Sequence, residues 1–411
     1  MDNTVTIIDS IMGSGKTTWA INYMKSHREK SFIYITPFLD ECKRIQTSCA
    51  PELDFVAPVR KWPRLSKLDN IQELINAGEN IVSSHELFKR FDDNVKSLLL
   101  YSVDYTLVID EVLDIITPYK ITKDDIRILK SSNVISIDNN GLCHWNKDMD
   151  DYSGRYDDIR QIAISGNLVC VDNTFFLWRY NPEIFKLFKD IFIMTYLFDG
   201  SIMKGYFDYY GIKYNKMSLH EGKLIPYQPF DTTKIQKLIN IYEGKLNDGF
   251  TKSALSKTWY EDRDNTKYIN QLRNNLDNYY RHIVNAKSDS RLWTTFEDNK
   301  ETIEKQRYKN NFIPCNSRAT NIYEDKYNLA YLVNIYMHPG IIHFLAQKQI
   351  VVNKELYALS VLLQWIWRSR IRNGLSINIY IPSKRMRELF KSWLNNTSYL
   401  YTNLNNINPS E

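Results

Sequence analysis

Ser10-Ile11-Met12-Gly13-Ser14-Gly15-Lys16-Thr17 sets two glycines, a lysine and a hydroxyl in one short loop. It follows the phosphate-loop pattern GxxxxGK[ST], except that Ser10 stands where the first glycine would be. Glycines there let consecutive backbone N–H groups curl round an anion, and a following helix turns its positive end to the same point. Gly13, Ser14, Gly15, Lys16, Thr17 and Thr18 are therefore expected to cradle the phosphates of ATP. Lys16 would reach the β and γ oxygens, and the Thr17 hydroxyl would ligate Mg²⁺. Leu107-Val108-Ile109-Asp110-Glu111 supplies the partner. An apolar strand ending in Asp delivers a carboxylate to the carboxyl edge of a parallel sheet, where such sheets bind ligands. Asp110 would hold the metal, and Glu111 would polarise an attacking water. A kinase needs the first acid and has no work for the second, so the pair points to hydrolysis.

The elements that must position these groups read as an α/β fold. Residues 5–8 form an apolar strand, the glycine loop follows, and a helix pattern begins at Lys16. Residues 32–35, 81–84 and 105–109 are further strands, with helix patterns after Leu39 and over residues 71–76 between them. That alternation predicts a parallel sheet flanked by helices. After Asp110 the rhythm changes. Residues 134–138 and 142–145, joined by Asn139-Asn140-Gly141, read as a hairpin inside an insertion spanning about 116–165. Residues 168–171 and 191–195 then resume the strand pattern of the first domain, taken as 1–199. A second α/β domain, 200–411, has its clearest strands at 291–295, 311–314 and 377–381, and helix patterns at 327–336, 355–366 and 385–394.

Composition bounds the class. With 411 residues, 43% hydrophobic and 25% charged, the chain has the make-up of a two-domain globular protein. No apolar run approaches the roughly 20 residues that span a bilayer, so no membrane partner is expected. Five scattered cysteines without a CxxC pair fit neither a disulfide framework nor a zinc site, and suit a reducing cytoplasm. The net charge of +5 permits a polyanionic partner. Between Gln364 and Ser392 seven Lys or Arg face a single acid, Glu388, so the basic character is concentrated near the end of the chain. Lys384 and Arg385 open a helix pattern, where cations are unfavourable to the helix dipole, which favours a role as a phosphate-binding patch.

With these motifs in order, the sequence resembles the superfamily 2 helicases and translocases, in particular those of phages and large DNA viruses. The phosphate loop MGSGKTT and the acidic box VIDEV carry most of that resemblance. It implies two tandem RecA-like domains and assigns roles to further positions. Thr36 and Pro37 end the second strand, and Ser84 and His85 the third, where such helicases touch the nucleic-acid backbone. Thr195, in Met194-Thr195-Tyr196, stands at the segment that couples nucleotide state to domain closure, with Tyr in place of the usual Ala. Thr294 and Thr295, then Arg318, Thr320 and Asn321, fall at nucleic-acid contacts of the second domain. Gln364-Trp365-Ile366-Trp367-Arg368-Ser369-Arg370 resembles QxxGRxxR, with Trp367 replacing Gly and Ile371 replacing the last Arg. Gln364 would then face the γ-phosphate, and the arginine finger is Arg368 first, Arg370 second.

The expectation is an ATP-dependent helicase or translocase of viral replication or recombination. It would act on single-stranded or forked DNA (RNA not excluded) and meet replication proteins. A DNA-packaging ATPase shares both nucleotide motifs, and a non-motor ATP-switched origin-binding or scaffold protein would need only the first domain's chemistry.

Overall fold

Short apolar runs that end on a polar residue become the strands, as burial on both faces demands. The computed structural model describes residues 4–60, 66–149, 152–316 and 322–396. In chain order the strands are β1 (Val5–Asp9), β2 (Ser31–Thr36), β3 (Phe55–Val56), β4 (Asn80–Ser84), β5 (Tyr105–Asp110), β6 (Ile116–Tyr119), β7 (Ile135–Ile137), β8 (Cys143–Trp145) and β9 (Leu168–Val171). They continue with β10 (Phe175–Arg179), β11 (Asp190–Thr195), β12 (Tyr214–His220), β13 (Lys223–Pro226), β14 (Ile239–Ile241), β15 (Arg291–Thr294), β16 (Asn328–Tyr331) and β17 (Ile377–Tyr380). Two units result: residues up to Gln228 together with His338–Val352, and Pro229–Met337 together with the residues from Asn353 on.

The first unit is built on an eight-stranded sheet in the order β13-β12-β1-β11-β5-β2-β4-β3. Its strands are parallel except for the terminal β12–β13 hairpin. Register brings the carboxyl ends together: Asp9 lies opposite Thr195, Met194 opposite Asp110, Ile35 opposite Ile109 and Thr36 opposite Ser84. The sequence-based division at 199/200 falls short of this unit's limit. β12 pairs with β1, so the residues just after 200 complete the first sheet.

The insertion carries its own core of Ile126, Leu129, Ile135, Cys143, Trp145, Ile159, Leu168, Cys170 and Phe176. The expected hairpin is present as β7 and β8. Residues 168–171, however, do not rejoin the main sheet. They are β9 of an antiparallel sheet ordered β6-β10-β9, so the insertion runs on through β10. The cause is local. Asp172 and Asn173 both take positive φ (51° and 53°), a turn that these two residue types tolerate and that folds β10 back on β9. The segment returning from beyond the second sheet's first three strands also belongs here. Its helix Pro339–Ala346 packs on β6, β9 and β10 and on the helix Ile202–Tyr210. Gly205 admits it: a Cβ at that position would lie 2.7 Å from a Leu345 methyl. His343 bonds Asp172 at 2.7 Å.

The second unit is a four-stranded parallel sheet, β14-β17-β16-β15. Its core gathers Leu272, Leu276, Tyr279, Tyr280, Trp293, Tyr308, Ala330 and Tyr380. The expected helices at 355–366 and 385–394 are Lys354–Ile366 and Lys384–Leu394. Two expectations fail. The stretch at 327–336 is not helical; residues 328–333 are all buried and begin with β16, the pattern of a strand covered on both faces. Residues 311–314 form no strand, only one bridge from Phe312 to Trp293 after the turn Lys309–Asn311. The Trp293 and Phe312 rings pack tilted against each other, their centroids 4.8 Å apart, at the core rather than extending the sheet.

At Gly141 the hairpin turn meets β9. Its φ is +79°, its carbonyl accepts from Cys170 N at 2.7 Å, and a Cβ there would stand 2.8 Å from the Cys170 carbonyl oxygen. Gly141→Ala should therefore lower stability by about 2 kcal/mol or more, combining the left-handed penalty with a backbone clash. Asn139→Ala, on an exposed side chain of the same turn, should change it by only about 0.5 kcal/mol. Equal thermal-melt midpoints for the two variants would contradict this account of the turn.

Candidate functional site

The site grows from the end of β1. Asp9 is buried, and its carboxylate accepts the backbone N–H groups of Leu197 (2.8 Å) and Phe198 (3.0 Å). Burial pushes its carboxyl up to about 6, against the lowering effect of those N–H groups and of Lys216. Ser10 N donates to the Thr195 carbonyl at 2.9 Å, and Ser10 Oγ accepts Leu219 N at 2.7 Å. That second bond accounts for serine in place of the first motif glycine: the side chain ties the loop's stem to β12. Beyond the stem, Gly13 and Gly15 take φ of 79° and 90°, and no atom lies within 4 Å of a Cβ built on Gly15. The helix Lys16–Ser26 starts there, with Thr18 exposed on its first turn. Lys16 Nζ donates to the carbonyls of Ser10 and Ile11, the latter at 2.9 Å. Ser14 Oγ is buried without a hydrogen-bond partner.

β5 brings the acid. Asp110 Oδ2 accepts from Thr17 Oγ1 at 3.3 Å and from the buried Tyr34 hydroxyl at 3.0 Å. Burial raises the Asp110 carboxyl, and Tyr34, Lys16 and Thr17 act to lower it. Tyr34 escaped the sequence reading because a tyrosine inside the strand FIYIT reads as core; nothing in the linear pattern marks its hydroxyl. Glu111 takes a left-handed φ of 65°, a conformation that costs a non-glycine residue about 1–2 kcal/mol. Its N–H donates to the Met194 carbonyl at 3.0 Å. The strand direction breaks there. His85, buried, donates from Nε2 to the Asp110 carbonyl at 2.9 Å, so it braces the acidic box from below.

The remaining predicted positions divide by setting. Thr36 is fully buried with a partnerless hydroxyl, and Pro37 beside it is half-buried. The exposed side chains at that strand end are Phe38 and Leu39. Ser84 Oγ caps the turn His85–Phe88 by accepting Leu87 N at 3.3 Å. Thr195 is buried beside Ser10.

In the second unit, Thr294 and Thr295 are fully buried at the end of β15. Gln364 is half-buried, and its carbonyl accepts Arg368 Nε at 3.2 Å; Arg368 itself is 7% exposed. Arg370 stacks on Tyr327 at 3.9 Å and donates to the Ser376 carbonyl at 2.5 Å. Lys384 is exposed on the first turn of its helix. Arg385 donates to Asn334 Oδ1 (2.9 Å) and the Ile335 carbonyl (2.8 Å), pairs with Glu355 and covers the Tyr336 ring. Arg318, Thr320 and Asn321 lie outside the described residues.

The first unit thus collects Gly13 to Thr17, Asp110 and Glu111 at one sheet edge. The donor set suits a nucleotide phosphate and a divalent cation: open space over the left-handed Gly15, a buried serine hydroxyl lacking a partner, and a hydroxyl and a carboxylate already in contact. Such an edge can bind phosphates, hold a metal through oxygen, and orient a water.

One consequence follows from Asp9. Its folded-state carboxyl lies near 6 rather than the ordinary 3.8, so the folded protein holds this proton more tightly than the unfolded chain does. The associated stability is present in full below pH 4 and is lost as pH rises through 6. Replacing it with Asn removes the titration. The stability of Asp9→Asn relative to wild type should therefore rise by roughly 2–3 kcal/mol between pH 4 and pH 7, read from denaturant melts. A difference that stays flat with pH would refute the assignment.

Residues 116–178 match the YonV middle domain, coinciding with the insertion, and residues 233–394 match the YonV C-terminal Rossmann-like domain. Among solved structures, that of S. tokodaii Xpd4 aligns with a TM-score of 0.51 at 11% identity, covering 95% of this chain and 94% of that one. XPD_APO aligns with a TM-score of 0.50 at 14% identity, covering 96% of each chain. At such identities the likeness is one of fold: α/β domains of the kind seen in XPD-type helicase structures. The SPbeta prophage-derived uncharacterized protein YonV of Bacillus subtilis (strain 168) is 38% identical over 409 residues, covering 95% of this chain and 99% of that protein. With that identity along almost its whole length, the chain belongs to the YonV family.

Proposed function

We propose that this protein is an ATP-hydrolysing nucleic-acid motor of the superfamily 2 type, working on single-stranded or forked DNA. The observation that carries the reading is the meeting of Thr17 and Asp110 at 3.3 Å beneath a glycine loop, at the carboxyl edge of a parallel sheet. The backbone N–H groups from Gly13 to Thr18 bind the phosphates. Lys16 would exchange its two carbonyl partners for phosphate oxygens, and Thr17 and Asp110 would hold Mg²⁺, which when bound supplies charge neutralisation at the phosphates. Glu111, turned out of the strand by its left-handed backbone, orients and polarises the attacking water. Arg368 is the proposed arginine finger, with Arg370 as the alternative. Pro37, Ser84, Arg318, Thr320, Asn321, Lys384 and Arg385 mark where the nucleic-acid backbone is expected, whereas Thr36, His85, Thr294 and Thr295 are buried and serve as supports of their strand ends rather than as contacts. The XPD-like fold supports the motor, and the prophage relative supports a phage setting. A nucleotide-switched assembly protein is the second reading. It draws on Arg370 and Arg385, which are held by partners within their own unit.

ATP turnover with and without a single-stranded oligonucleotide tests the reading. Lys16→Ala should abolish nucleotide binding, while Glu111→Gln should bind mant-ATP normally and lose turnover by about 100-fold or more. Arg368→Ala should lose roughly 10³-fold of the oligonucleotide-stimulated rate. Turnover that no oligonucleotide stimulates and that Arg368→Ala leaves intact would favour the switch. Tyr34→Phe removes only the hydroxyl behind Asp110. It should raise the Mg²⁺ concentration for half-maximal turnover by about 10-fold, as outer partners of metal ligands do. An unchanged Mg²⁺ titration would show that Tyr34 is packing alone.

A further inference from the structure

The family-like coupling segment after β11 has Tyr196 where a small residue is expected, and Thr195 is buried against Ser10. Another contact occupies this place in the structure. β1 and β11 are neighbours whose ends stand in register, Asp9 opposite Thr195. Immediately after β11 the chain turns at Leu197, whose φ and ψ of 55° and 50° are left-handed. A buried leucine does not choose that conformation unaided. The N–H groups of Leu197 and of Phe198 both donate to Asp9, so the carboxylate holds the turn. Asp199, next along, pairs with Lys216 of β12, whose ammonium covers the Tyr227 ring at 4.1 Å. Lys216 and Asp199 are the charged groups acting on Asp9 from the elements around it.

The same strand end reaches the acidic box. Thr195 accepts Ser10 N, and the adjacent Met194 accepts the N–H of Glu111. A short run of hydrogen bonds therefore links Asp9 and Ser10, at the stem of the phosphate loop, through Thr195 and Met194 to the left-handed Glu111. Two non-glycine residues in left-handed backbone, Glu111 and Leu197, follow the ends of the neighbouring strands β5 and β11.

We propose that Asp9 is a positioning residue for hydrolysis: by clamping the Leu197 turn it fixes the β11 tip, and through the Met194 carbonyl it sets the orientation of Glu111 relative to the phosphate loop. This rests on the hydrolytic reading above. Asp9 touches no reacting atom; it acts through the strand end. Misplacing a water-orienting carboxylate by about 1 Å lowers the chemical step by as much as 100-fold while leaving ground-state binding nearly intact.

The experiment compares mant-ATP affinity, single-turnover hydrolysis and thermal midpoint in wild type, Asp9→Asn and Asp9→Glu. The Asn variant keeps the shape and presents an N–H₂ to one of the two backbone donors; the Glu variant keeps the charge and shifts it by a methylene, which serves if the Asn variant folds poorly. Both should bind mant-ATP within about 3-fold of wild type and lose about 10- to 100-fold in single-turnover rate. A rate equal to wild type in both overturns the proposal. So does a parallel loss of affinity and rate, which would make Asp9 a support of the loop alone. A wild-type protein that binds mant-ATP but does not hydrolyse it overturns the hydrolytic reading itself. Loss confined to the Asp9 variants, with wild type active, tests this proposal separately.

Discussion

A carboxylate taken out of water has to be met by donors, and this requirement organises the working edge of the first unit. Asp110 is met by Thr17 and Tyr34, and Asp9 by two backbone N–H groups. Each pairing fixes more than itself. The first locks the carboxylate oxygen of Asp110 to the glycine loop, and the second locks the loop's stem to the next strand's turn. Removing one partner would leave a buried acid that must take up a proton or rearrange.

Parallel register makes these pairings possible. Because Asp9 ends opposite Thr195 and Asp110 opposite Met194, single backbone hydrogen bonds from Ser10 and Glu111 suffice to connect the strand ends. Just past the strand ends, at Glu111 and Leu197, the backbone of two non-glycine residues turns left-handed. Strain placed at the end of a strand disturbs no ladder hydrogen bonds, which is why the sheet tolerates it.

What the sequence disclosed follows from how local the cause is. The glycine loop, β1, β5, the Asn-Gly hairpin and the helices at 355–366 and 385–394 are written in contiguous residues, and each is present. Elements whose identity depends on distant partners were misread. Residues 329–333 are an apolar run equally compatible with a buried helix, and only the pairing of 328–331 with β15 and β17 makes the stretch begin as a strand. Residues 168–171 look like a return to the main sheet until the Asp172–Asn173 turn folds them onto β10. In the site, Lys16, Thr17, Asp110 and Glu111 were legible as a motif. Tyr34 and Asp9 were not, since a strand tyrosine and a strand-end aspartate acquire meaning only when the neighbouring strands are known.

The segment His338–Val352 has a consequence for how the protein is made. It belongs to the first unit, where its helix covers Gly205 and the β9–β10 turn, yet it is encoded after three of the four strands of the second. On the ribosome the amino-terminal unit therefore emerges with a bare patch around Phe175 and the helix Ile202–Tyr210, and stays so while about a hundred further residues are synthesised. The first unit has all of its residues only once 338–352 have been made, and a shortened product ending before residue 338 would lack the helix that covers this patch.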